Sequence, residues 1–530
     1  METAKQPSRA DDPGAATGAW IAVRVAAGEP VVDGMHRAAF GHRLGVPGVA
    51  DADGIFAGWD WDGRRLVACN DRYGLQPLFH ASVPGGGIAV SPSIIRLIEL
   101  GASTAFDLEA LSIFFRFGYF LGEDTPFQSI RAVPPNAVFE WADGKLTCRA
   151  RYPAAPQETR LTRDGAIDRY IELFSASIRK RLPASSRFGV TLSGGRDSRQ
   201  IVLELHRQGF RPQACVSALD HPPDPNEDPE IAAVLCARLG LRHVIVTQRL
   251  SRFAAEAHKN RRTHFCSMAH GWYLALADFL DGQFDCVHDG IGGDVLSQSK
   301  LLTPELDAAF HSGHLHTICD ALFARHASSL AGVQRLVRGE LRVCLDPGLA
   351  RRRLARELGR HLDWPNPVAS FVFWNRTRRE IALAPFGILQ GVQTVYAPYL
   401  DHDLFDFTVS LPSKVLLNRR FHDEVISRAY PACADIPYAR NAPPHSDDRE
   451  QRVRFLDEVA RRFLLHRPSR LMKNAEPRAR ILAGVLSRGL VSTWVSPLIV
   501  YLDQVETIIG KSPQRQVRER QITQLESLLG

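Results

Sequence analysis

Between residues 188 and 198 the chain reads Phe-Gly-Val-Thr-Leu-Ser-Gly-Gly-Arg-Asp-Ser. An apolar, β-branched run ends at Leu192, then Ser193, Gly194 and Gly195 turn the chain. A helical pattern opens at Ser198 and continues through Ile201, Val202 and Leu205. Two glycines let a backbone approach a ligand and turn its N–H groups inward, and the helix start behind them carries partial positive charge. The combination is an anion cradle suited to phosphate. No Lys follows the glycines, which excludes the GxxxxGK[ST] type of phosphate loop. The Asp197 carboxylate beside the cradle would repel phosphate unless a cation lay between them, which predicts Mg²⁺.

A second stretch has the same grammar. Phe284-Asp285-Cys286-Val287-His288 reads as a strand and runs into Asp289-Gly290-Ile291-Gly292-Gly293-Asp294. Either glycine turn alone fits an ordinary helix or strand end equally well. Two of them, each after a strand and each with an Asp, point to a shared polyphosphate site with Asp197 and Asp294 as its magnesium pair.

The elements around them alternate. A helix with Ile167, Ile171, Phe174, Ile178 and Leu182 on one face precedes the first loop. Ala214 to Leu219 reads as a strand, Asp228 to Leu239 as a helix and Arg242 to Thr247 as a strand. Such alternation predicts a parallel sheet with ligands beyond the strand C-termini.

At 530 residues the chain is too long for one core and calls for two or three domains. The net charge of +7 is spread along the length, and runs such as Arg351–Arg353 lack interleaved aromatics, so no nucleic-acid partner is expected. Nine cysteines, an odd number with no CxxC pair, suit reduced and mostly buried thiols. The N-terminus lacks a signal-peptide layout, and the longest apolar run, Gly489 to Leu502, is 14 residues and contains Pro497. That is too short to span a bilayer. The expectation is a cytoplasmic protein with no membrane segment.

Residues 1 to about 18 read as disordered. From Trp20 to about Tyr152 short strands dominate, with a helix at Leu108 to Phe115. Gly54-Ile55-Phe56-Ala57-Gly58-Trp59-Asp60, then Asp71-Arg72-Tyr73-Gly74-Leu75-Gln76-Pro77-Leu78, resembles the signature of the glutaminase domain of glutamine-dependent asparagine synthetases. Ser193 to Ser198 resembles the SGGxDS loop of ATP-pyrophosphatases, and Tyr396-Ala397-Pro398-Tyr399-Leu400-Asp401 resembles a later element of the same family. The resemblance implies a fold of class α/β. A degenerate Ntn-type αββα sandwich would occupy residues 19–155. A parallel-sheet, adenine nucleotide α-hydrolase-like domain would occupy 164–450, with a helical extension over 451–530.

The resemblance also implies functional residues. Leu192, Ser193, Gly194, Gly195, Asp197 and Ser198, with Gly290, Gly292 and Gly293, would hold ATP. Ser217, Ala218 and Leu219 would face the adenine. The family places a cation against the α-phosphate late in the chain. No Lys occurs between Lys414 and Lys473, so the role would fall to Arg419, Arg420 or Arg440. Asp401 would orient the site or cap the helix that starts at His402. Glu380 is the nearest candidate base; its alternative is a surface carboxylate paired with Arg.

Two departures redirect the reading. Family glutaminases use an N-terminal cysteine, whereas this chain reads Met1-Glu2 and its first cysteine is Cys69, inside a strand pattern. An internal thiol has no adjacent α-amine to serve as base, so no glutamine hydrolysis is expected. Ile291 stands where asparagine synthetases carry Glu and β-lactam synthetases carry Tyr, which argues for a larger or less polar acceptor. The expected activity is an AMP-forming ligase, with ATP and Mg²⁺, joining a carboxylate and an amine of one peptide as lasso-peptide macrolactam synthetases do. The substrate would be a peptide or a small amino-acid-like molecule, with a protease or leader-binding protein as partner. Asparagine or β-lactam formation, a tRNA-modifying ATP-pyrophosphatase and an inactive scaffold are the alternatives. The clustered His311, His314 and His316 lack a ligand-spaced carboxylate or Cys and read as solvated.

Overall fold

Short strands in the first 150 residues, alternating in burial most regularly in Arg37–Leu44, build two antiparallel sheets. The computed structural model describes residues 18–45, 52–150, 152–219, 227–298, 301–439, 469–472 and 495–511. Ten strands come first: β1 (Ile21–Ala26), β2 (Glu29–Gly34), β3 (Arg37–Leu44), β4 (Asp53–Trp61), β5 (Arg65–Asn70), β6 (Phe79–Val83), β7 (Gly87–Ser91), β8 (Ile130–Ala132), β9 (Ala137–Ala142) and β10 (Lys145–Ala150). Their orders are β2-β1-β7-β6-β8 and β10-β9-β5-β4-β3. Ile21 and Val23 point between the sheets, toward Trp59, Trp61, Phe139 and Trp141, while Ala22 points to the opposite face.

That opposite face is covered by helices Ile94–Glu99 and Leu108–Phe117. The outer face of the other sheet carries no helix among the described residues, and Arg37, Ala39, Gly41 and Arg43 are exposed there. The expected αββα sandwich is therefore αββ in the described residues. The physical reason is connection length: β4 to β5 and β9 to β10 are tight turns with no room for a helical layer.

The Asp71-Arg72-Tyr73-Gly74 motif is a structural corner. The buried Asp71 carboxylate accepts backbone N–H groups of Phe56, Tyr73, Leu75 and Gln76. Gly74 has φ +63°, and a Cβ there would lie 3.0 Å from Pro135 Cα.

After an irregular stretch over 152–162, helix Arg163–Lys180 leads into the second sheet. This comprises β11 (Phe188–Thr191), β12 (Ala214–Leu219), β13 (His243–Thr247), β14 (Cys286–His288) and β15 (Thr394–Tyr396), in the order β13-β12-β11-β14-β15. Every pairing is parallel, as the strand–helix alternation predicts.

One hydrophobic core crosses the boundary between the two parts. Tyr73 packs edge-on against Phe405 with ring centroids 4.8 Å apart, and Phe373 and Trp374 complete the cluster. Buried guanidinium groups tie the polar remainder together. Arg378 donates to the carbonyls of Gly122 and Val133, Arg379 to that of Asp124, and Arg353 to the Asp124 carboxylate at 2.6 Å. Arg181 joins Asp53 of β4 to Asp401. Five donors in a rigid fork suit Arg to such multi-acceptor joints.

The expected helical extension is described only in part. Helix Val495–Lys511 packs on helix Arg252–Arg262, and Tyr501 stacks near Phe114 at 4.9 Å, so it belongs to the first domain's core. The described residues contain no helix long and apolar enough to cross a membrane. The expectation for residues 1 to about 18 lies almost wholly outside the described residues.

Candidate active site

β11 ends at Thr191 in the middle of the parallel sheet, and β14 ends beside it at His288. The first glycine loop leaves one strand and the second leaves its neighbour, so sheet order alone brings them together. Their contact is intimate. A Cβ at Gly293 would lie 2.5 Å from Asp197 Cγ, and one at Gly290 would lie 3.0 Å from Asp197 Cβ and 3.1 Å from the Ser198 amide. Only glycine permits this approach. Gly292 has φ +90° and faces Leu400.

Hydrogen bonds brace the loops from behind. The Asp289 carboxylate accepts from Thr191 Oγ1 at 2.7 Å, from the Ile291 amide at 2.9 Å and from the Tyr273 hydroxyl. Tyr399, from the Tyr396–Asp401 motif, donates to the Asp197 carbonyl at 2.9 Å. His422 is fully buried, with Nδ1 at 2.8 Å from Ser297 Oγ and 3.4 Å from Asp197 Oδ1. Burial first, and then the nearby Arg196 charge, push the His422 imidazole down to about 3. It stands neutral beside the Asp197 carboxylate.

The cradle's own donors are engaged internally. The Ser193 amide donates to Ser198 Oγ at 2.9 Å, the Gly195 amide to Ser193 Oγ at 3.2 Å and the Gly194 amide to the Asp228 carboxylate at 2.7 Å. A carboxylate thus sits in the anion cradle that glycine geometry forms. The Gly194 carbonyl accepts from the Ala439 amide at 3.0 Å. Arg440 itself, an expected cation, lies outside the described residues, as do residues 220–226 ahead of Asp228's helix.

The other expected residues divide. Leu192 is buried, and its carbonyl accepts from Ser217 Oγ at 2.6 Å; Ser217 Oγ also lies 2.8 Å from His243 Nε2. Ala218 and Leu219 end β12, half-buried and paired with Val246 and Thr247 of β13. Arg419 and Arg420 are exposed on the turn before helix Phe421–Ala429. Arg196, inside the loop itself, holds a cation closer by: it pairs with Asp423 and stacks 4.1 Å over Tyr438. Ile291 is 5% exposed and packs in the core, so its type reports on packing more than on an acceptor. Asp401 caps helix His402–Val409 through the Asp403 and Leu404 amides, and Arg181 and Lys180 hold its carboxyl below the ordinary value against the opposing effect of burial.

Glu380 is buried, so it is not the surface carboxylate of the alternative reading. It sits on the wide π-helical segment Phe373–Ile381, a helix type that recurs at functional sites. Burial pushes its carboxyl up to about 7, against the pull of Arg376, whose Nε lies 3.3 Å away, and of Lys259. Lys259 is fully buried, paired with Glu256 at 3.2 Å and donating to the Ser267 carbonyl at 2.8 Å. His270, at φ +75°, has a buried Nε2 with no hydrogen-bond partner among the described residues. The pairing of Glu380 with an Arg is legible at i,i+4 spacing, whereas motif reading missed Lys259 and His270, which come from separate segments that only folding unites.

Two carboxylates suit a hard divalent cation that keeps water and phosphate oxygens as its remaining ligands. No group of three or more His, Cys, Asp or Glu at metal-binding proximity occurs among the described residues. His311 and His316 pair with Asp307 and Asp320 on the surface. Seven of the nine cysteines are buried, Cys69 is half-buried and Cys148 is exposed.

Residues 38–152 match the glutamine amidotransferase domain family. The chain is also 26% identical over 212 residues to proteins of Mycobacterium bovis and Mycobacterium tuberculosis that carry the provisional name asparagine synthetase (glutamine-hydrolysing). That similarity covers 38% of this chain and 32% of each relative. The chain thus spans about a third of the length of the curated relatives it matches.

Proposed function

We propose that the protein is an ATP-dependent, AMP-forming amide ligase that activates a substrate carboxylate and couples it to an amine without hydrolysing glutamine. The observation that carries this reading is the contact of Gly290 and Gly293 with Asp197, which joins two phosphate-type loops into one site. In this reading Gly194 and Gly195 present backbone N–H groups to the phosphates. Asp197 and Asp294 would hold Mg²⁺, which when bound neutralises charge on the departing pyrophosphate. The substrate carboxylate oxygen attacks the α-phosphorus, and pyrophosphate leaves with the bonding electron pair. The amine nitrogen then attacks the activated carbonyl, Glu380 takes its proton, and AMP departs.

A carboxyl raised to about 7 is suited to accept a proton near neutral pH. The cysteines of the amidotransferase-like stretch support a reaction that proceeds without glutamine hydrolysis. Cys69 lies inside β5, 3.5 Å from Arg43 Nη2, and Cys148 lies on edge strand β10, each without an adjacent α-amine. The amine is then carried by the substrate, which favours ring closure within a peptide of the lasso type. A protease or leader-binding partner would accompany such a pathway. The test is product analysis. Equimolar AMP and pyrophosphate with a peptide substrate support the reading, whereas ADP and phosphate overturn it. The similarity to asparagine synthetases favours one second reading, aspartate as the carboxylate and ammonia as the amine. Aspartate-dependent pyrophosphate release would establish it.

A further inference from the structure

Arg376 stands at a junction. It occupies the same π-helical segment as Glu380, its Nε donates to Glu380 Oε2 at 3.3 Å, and its side chain is 29% exposed. Its charge is felt by groups from four other segments: Asp294 of the second glycine loop, Tyr119 of the first domain, His270 and His326. No hydrogen-bond acceptor for Nη1 or Nη2 is found among the described residues. The side chain is held at one end and open at the other. A guanidinium fixed through Nε presents two parallel N–H donors, the geometry that matches a carboxylate in two-point fashion.

We infer that Arg376 is the binding residue for the substrate carboxylate that becomes activated, and that this guanidinium sets the carboxyl group beside Glu380. The inference rests on the ligase reading above and adds to it the residue that selects an anionic acyl substrate. A carboxylate approaching a triphosphate is repelled, and a fixed cation that pairs with Glu380 and acts electrostatically on Asp294 offsets that repulsion. One planar group would then serve both half-reactions. Its Nη atoms orient the oxygen that attacks phosphorus, and its Nε keeps Glu380 near the carbonyl that the amine attacks.

Two titrations test this on the full-length protein. The nucleotide probe is the non-hydrolysable ATP analogue AMP-CPP with Mg²⁺, and the carboxylate probe is N-acetyl-glutamate α-amide, added to the nucleotide-saturated protein in a calorimeter. Arg376→Gln should weaken the carboxylate probe at least tenfold and leave AMP-CPP within twofold of wild type. Arg376→Lys, which keeps charge and loses the fork, should fall between, and both variants should keep the wild-type circular dichroism spectrum. Unchanged probe affinity in Arg376→Gln overturns the assignment, and so does an equal loss of nucleotide and probe in both variants. Wild-type protein that binds AMP-CPP but not the carboxylate also overturns it, whereas wild-type protein that binds neither overturns the ligase reading itself.

Discussion

Gly293 and Asp197, almost 100 residues apart in the chain, meet so closely that a methyl group on Gly293 would sit 2.5 Å from the Asp197 carboxylate carbon. The two phosphate-type loops therefore form one site whose walls are a glycine and an aspartate. Gly293→Ala should displace the Asp197 side chain. The measurement is pyrophosphate release, expected to fall at least a hundredfold, with the melting temperature lowered by no more than a few degrees. A variant as active as the wild type would mean that the loops need not touch.

Asp197→Asn and Asp294→Asn should each keep the fold and raise the Mg²⁺ concentration needed for half-maximal activity. Removing one of two anionic ligands weakens a hard cation more than it weakens the protein. Magnesium titrations of both variants check this, and two curves that overlay the wild type would remove the pair from the metal site.

The Asp228 carboxylate accepts the Gly194 amide at 2.7 Å, within the glycine cradle. Phosphate and carboxylate repel in the same nest, so on the proposed reading ATP would displace it. Asp228→Asn should bind AMP-CPP about tenfold more tightly, on the order of 1.4 kcal/mol. Weaker binding would assign Asp228 a supporting role instead.

On the proposed reading, Glu380 should give the activity its pH dependence. A base must be ionised to accept a proton, and burial holds this carboxyl at about 7. Amide formation should rise with pH through that value and level off above it, while Glu380→Gln should lose both the rate and this limb of the profile. The stability effect has a definite sign. With the folded value above the ordinary one, the fold favours the protonated form, and stability is lost as pH rises from the ordinary carboxyl range to about 7. Glu380→Gln should therefore melt higher than wild type at pH 8 and show no such gain at pH 4. Thermal melts at the two pH values decide it.

Arg378 is buried among first-domain carbonyls, donating to Gly122 at 3.3 Å and Val133 at 3.1 Å. Arg378→Met should leave those acceptors unpaired and destabilise the protein by about 3 kcal/mol. Denaturant unfolding should show both parts melting together, earlier than in the wild type. Two separated transitions would contradict a shared core.

The sequence by itself determined whatever is written in consecutive residues. Strand, glycine turn and helix start at Phe188–Ser198 are local, because backbone freedom and hydrophobic period depend on near neighbours. The parallel sheet followed from the same alternation, whereas the strand order that sets β14 beside β11, and with it the meeting of Asp197 with Gly290 and Gly293, was decided by the tertiary structure. Only tertiary structure decided the rest. Lys259 and His270 come from segments distant from the i,i+4 pair Arg376 and Glu380, and no period links them to it. Ile291 looked like a substrate-facing residue until packing turned it into the core. Asp228 entered the cradle and Arg196 found Asp423 and Tyr438 through side-chain geometry that a linear pattern does not encode. Burial also removed the surface alternative for Glu380 and raised its carboxyl, since desolvation is a property of the surrounding shell and not of the residue that it encloses.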